Sequence, residues 1–138
     1  AWEFTKPAEE RTFLSLVELD STPSTDEVAV RATIQELIRR TTGVVEPVDG
    51  VEVSAAYQLF ADTYAALVEA ADPALPAACQ GKWDRATPLG QGCNPTCTSY
   101  VDAPLPAAEQ ITEDPNYTIR AWMAVVSYLL SDYRFLYQ

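Results

Sequence analysis

The chain has 138 residues, 48% of them hydrophobic, with 9 basic and 20 acidic side chains, a net charge of −11 and no histidine. That is chain enough for one core, so a single helical domain over residues 1–138 is expected. Nine scattered cations cannot build a phosphate-neutralising surface, which argues against a nucleic-acid binder, and the lack of histidine removes Ser-His and Cys-His pairs, imidazole bases and histidine-held haem or zinc.

Residues 1–7 read as a polar, extended arm anchored by Trp2 and Phe4. Pro7 can open a first helix over residues 8–19, with Phe13, Leu16 and Val17 on one face. Residues 12–19 also fit a strand. A turn follows around Pro23. Ser24 and Glu27 then match a capping box, in which each side chain satisfies a backbone donor at a helix start. Val30, Ile34, Leu37 and Ile38 form the stripe of that second helix. Arg39 and Arg40 suit its negative end, and Gly43 is a natural stop.

Residues 44–53 contain Pro47 and the Asp49-Gly50 turn signal, and read as a loop in preference to a small hairpin. Ser54 starts a third helix that runs to about residue 71, with Tyr57, Phe60, Tyr64, Leu67 and Val68 at helical spacing. Asp72-Pro73 ends it.

Residues 73–114 hold all three cysteines, Gly81, Gly90, Gly92 and six dispersed prolines, with no sustained period and no repeat. A disulfide from Cys79 to Cys93 or Cys97 would stabilise so long a loop by about 3 kcal/mol, through the entropy of the unfolded chain. Trp83, Leu89, Tyr100, Val101 and Leu105 are then placed to fold back as a lid, with a short helical turn near residues 106–110. The last helix is the best marked. Asp114 is its N-cap and Pro115 its first residue. Ile119, Trp122, Met123, Val126, Leu129, Leu130, Tyr133 and Leu136 cover more than half its circumference, as in a central helix or one that faces a partner. The expected fold is all-α, an irregular four-helix bundle with a long disulfide-tied loop over residues 73–114.

Cys79, Cys93 and Cys97 fall in one window and are the disulfide candidates, which points to an oxidising compartment. Their number is odd, so one thiol is left over or pairs with another chain. Free thiols and a metal site completed by Asp84 or Asp102 are the alternatives, although the spacing fits no zinc or iron–sulfur pattern. Cys93 and Cys97 have three residues between them, where redox pairs have two. Glu46, Asp49 and Glu52 around Gly50 offer oxygen ligands for calcium, without the regular alternation of a calcium loop; a solvated turn is the plainer reading. No nucleophile elbow, phosphate-cradling loop or haem-attachment motif occurs. The longest apolar run, near residues 122–130, is too short for a membrane span. Starting at Ala1, the chain is expected to be a mature protein or a fragment of a longer one. The C-terminal Tyr133, Phe135 and Tyr137, with Trp122, are the residue types that dominate binding energy at interfaces.

The ending from Met123 through Tyr128, Asp132, Tyr133, Arg134, Phe135, Leu136 and Tyr137 to Gln138 resembles a helix of uncharacterised helical domains. Those domains occur beside cytochrome c modules in large secreted planctomycete and myxobacterial proteins. Ile38-Arg39-Arg40, Glu46-Pro47 and the helix carrying Tyr57 to Leu67 are similar to another segment of that group. Asp132 stands where the group favours proline, and the cysteine loop is a second departure. The resemblance implies an extracytoplasmic helical module and transfers no catalytic residue.

The residues thus favour a non-catalytic extracytoplasmic accessory or structural subunit: periplasmic, cell-surface or secreted. It would dock a protein partner, or a second copy in a homo-oligomer, through the C-terminal aromatic helix and the cysteine loop, with no cofactor and no metal. The alternatives are a small-ligand binder or carboxylate-based enzyme with its site under the Trp83 loop, and a cysteine-based redox or metal module.

Overall fold

A computed structural model describes residues 1–88 and 102–131. The fold is mostly helical. Among the described residues it has three α-helices, α1 (Glu27–Thr42), α2 (Val51–Ala70) and α3 (Thr118–Leu130). A short antiparallel pair, β1 (Trp83–Pro88) and β2 (Asp102–Pro104), lies between α2 and α3 in sequence.

The four-helix expectation fails at residues 8–19. Only Ala8–Glu10 forms a single 3-10 turn there, and irregular chain follows. Two side chains take over the work of a helical ladder. The nearly buried Arg11 guanidinium donates to the carbonyls of Lys6 at 2.8 Å and Val17 at 2.7 Å. The Glu3 carboxylate accepts the backbone N–H of Phe13 at 2.8 Å and of Leu14 at 3.3 Å. With the backbone satisfied this way, Leu14 and Val17 turn inward while Phe13 and Leu16 stay exposed.

The α1 stripe of Val30, Ile34, Leu37 and Ile38 is fully buried, and Gly43 ends the helix with φ 71°. The capping box does not form. Asp26 holds the N-cap position, its carboxylate accepts from the Ser21 hydroxyl at 3.1 Å, and Thr22 and Thr25 bond each other upstream. The loop before α2 ends at Gly50, so α2 starts three residues before Ser54. Its C-cap, Ala71, takes the left-handed conformation at φ 52°. The start of α3 also differs. A turn from Asp114 to Tyr117, whose φ is 58°, delays the helix to Thr118. Tyr117 takes the N-cap position expected for Asp114, whose carboxylate, three residues earlier, accepts the N–H of Ile119 at 3.1 Å and of Arg120 at 3.0 Å.

The core lies where α1, α2 and α3 meet. Phe60 of α2 and Trp122 of α3 are buried against each other, ring centres 4.7 Å apart and tilted by 50°. Thr118 is fully buried at the start of α3, and its hydroxyl donates to the Leu19 carbonyl at 2.6 Å, tying the N-terminal segment to that helix.

Within the region expected to be a structureless loop, residues 73–88 and 102–114 form a folded clasp containing an internal repeat. Leu75-Pro76-Ala77-Ala78-Cys79-Gln80 recurs as Leu105-Pro106-Ala107-Ala108-Glu109-Gln110. Each copy makes a 3-10 turn, Ala77–Cys79 and Ala107–Glu109. Pro76 and Pro106 both stand at φ −51°, with ψ 142° and 141°. The Gln80 amide donates to the Leu75 carbonyl at 3.0 Å, and the Gln110 amide to the Leu105 carbonyl at 2.9 Å. The copies pair antiparallel about a local two-fold axis. Gly81 faces Ile111, its own equivalent, and the pairing of Ala74 with Glu113 is the counterpart of Trp83 with Pro104. The two ends close where Asp114 N–H meets the Pro73 carbonyl at 2.8 Å. Proline fixes the entry angle of each turn and glutamine closes it, which is why the same letters give the same geometry twice.

Among the described residues Cys79 forms no disulfide. Cys79 is a half-buried free thiol, and Cys93 and Cys97 lie outside the described residues. The clasp is held by its backbone pairing instead.

Candidate functional site

In place of the expected extended arm the N-terminus forms a 3-10 turn, Trp2–Thr5, that packs on the helical core. Phe4 is buried in that core. Lys6 rests its ammonium 4.0 Å from the Trp2 ring centre. Beneath the arm is Gly81 of the clasp, whose missing side chain lets the backbone of Ala1 and Trp2 approach.

Between this arm and α3 runs an open, apolar groove of about 360 Å³. One wall is Ala1 to Phe4 with Phe13 and Leu14. The floor includes Ile119 and Trp122, with Leu37 from α1. The opposite rim is α3, through Met123, Val126 and Leu130. Three large apolar side chains at the rim stay substantially exposed: Phe13 at 47%, Met123 at 37% and Leu130 at 42%. The polar residues in the lining are Glu3, Thr41 and Ser127. Glu3 already accepts two backbone N–H groups, and the Thr41 hydroxyl donates to the Leu37 carbonyl at 2.9 Å. The indole N–H groups of Trp2 and Trp122 are buried without an acceptor among the described residues.

Trp122 therefore serves differently from the sequence expectation. It is 2% exposed, so it is core and groove floor and no projecting anchor. Tyr133, Phe135 and Tyr137 lie outside the described residues. The site expected under the Trp83 loop is not where the groove lies. Trp83 belongs to β1, across the clasp from Pro104. Trp2 and Phe4 were legible as anchors; the partnership of Phe13 with Met123 and Leu130 was not.

Among the described residues no three or more histidine, cysteine, aspartate or glutamate side chains gather as a metal site would need, Glu46, Asp49 and Glu52 included. No helix among the described residues is long and apolar enough to cross a membrane. Away from the groove, burial pushes the Tyr57 phenol up, assisted by the charge of Glu27 and opposed by Arg31, whose guanidinium lies 4.1 Å from the ring centre.

The chain was compared with family models, with curated proteins and with solved structures, and none of them matches.

Proposed function

We propose that this chain is a non-catalytic docking module that receives a protein partner in the groove between its N-terminal arm and α3. The observation that carries this reading is the exposed apolar rim of Phe13, Met123 and Leu130 above a floor already packed into the core. Water-facing apolar side chains around a preformed concavity match the anatomy of a protein interface, with a dry centre and few polar groups. The polar groups in the lining do not form a reacting set: Glu3 and Thr41 are engaged by their own chain.

The extracytoplasmic setting belongs to the same proposal. Its support is the clustering of Cys79, Cys93 and Cys97 and the resemblance of the C-terminal helix to secreted modules. An oxidising compartment would pair two of the three cysteines and leave one thiol over. Alkylation under denaturing, non-reducing conditions would then modify one thiol, and a cytoplasmic protein would show all three modified.

The docking reading is tested by placing a photo-crosslinking amino acid at Met123 and, as a control, at Gln58, an exposed position on α2. Irradiation in the producing cells should give one dominant protein adduct from position 123 and none from 58. Equal labelling from both positions, or none, would remove the reading.

A further inference from the structure

We draw no further inference here: the strongest candidate beyond the groove already described, the exposed valine-rich loop of residues 44–51 between α1 and α2, is an unpartnered apolar patch, and nothing in the structure shows what covers it.

Discussion

Gly81 and Ile111 exchange two backbone hydrogen bonds, 2.8 Å from Gly81 N–H and 3.1 Å from Ile111 N–H, across the local two-fold axis of the clasp. Equivalent positions of the repeat meet there, yet one is glycine and the other isoleucine. The arm explains the difference. A Cβ at position 81 would stand 3.0 Å from Thr5 Cγ2 and 3.3 Å from the backbone of Ala1 and Trp2. The crowded neighbours at Ala1 and Trp2 are backbone, which cannot rotate away.

Gly81→Val is therefore expected to displace the arm and cost about 1–3 kcal/mol, as overpacking of a tight contact does. Urea unfolding gives the stability. The emission of Trp2 should shift to the red as that wall of the groove opens. Unchanged stability and emission would mean that the arm is not held against the clasp.

How much of this was legible follows from how local each cause is. The α1 stripe and its Gly43 stop were readable because burial there follows the helical period and the stop is one residue. Residues 8–19 misled because Arg11 and Glu3 satisfy the backbone across as many as eleven residues, and no periodicity reports that. The acceptor role of Asp114 is legible from its place before the helix, but the turn through Tyr117 moves the N-cap and the helix start three residues on. The repeat of Leu75–Gln80 at Leu105–Gln110 was in plain letters; it escaped because its copies are short and separated, and pair with each other instead of stacking in series. The groove was half legible. Its α3 rim stood out as a wide apolar face, whereas its arm wall depends on the clasp beneath.

The ends of α1 and α2 give a matched comparison. Both C-caps are left-handed, Gly43 at φ 71° and Ala71 at φ 52°. Glycine adopts that conformation without a steric cost, and alanine does not. Ala71 is exposed, so nothing is lost from the core by removing its methyl group. Ala71→Gly should raise stability by about 0.5–1 kcal/mol and Gly43→Ala should lower it by a similar amount. Thermal unfolding of the two variants, measured side by side, checks the opposite signs.

Glu36 supplies a pH dependence. Hydrogen bonds from Arg39, and next from Arg40, lower its carboxyl from 4.5 to about 2. The folded state thus holds the proton less tightly than the unfolded chain. Its contribution to stability is complete above the unfolded value and is lost as pH falls through about 2. The group is on the surface, where solvent screening keeps the effect modest. Glu36→Gln should flatten the stability profile between about pH 4.5 and 2 and leave the shape near neutrality unchanged. A carboxyl titration by NMR should place the Glu36 midpoint near the bottom of that window; an ordinary midpoint would mean that the two arginines do not hold it in solution.

Asp114 carries the most structure on one side chain. It is fully buried, accepts from two backbone N–H groups of α3, and takes the Arg120 Nε at 3.3 Å. Its own N–H closes the clasp on Pro73, and the Arg120 guanidinium reaches on to the Asp72 carbonyl beyond α2. Asp114→Ala strands buried donors and the largely buried Arg120 charge together, so a loss of about 3–5 kcal/mol is expected. Asp114→Asn keeps one carbonyl acceptor and should lose less, about 1–3 kcal/mol. Hydrogen exchange separates the causes. The amides of Ile119 and Arg120 should lose protection in both variants, ahead of those in the middle of α1. Equal losses in stability for Asn and Ala would assign the effect to the charge on Arg120, and intact protection at Ile119 would show that the cap does not hold α3. Because Ile119 and Trp122 line the groove, a frayed α3 start should also lower the yield of the crosslink from position 123 in proportion to the lost protection.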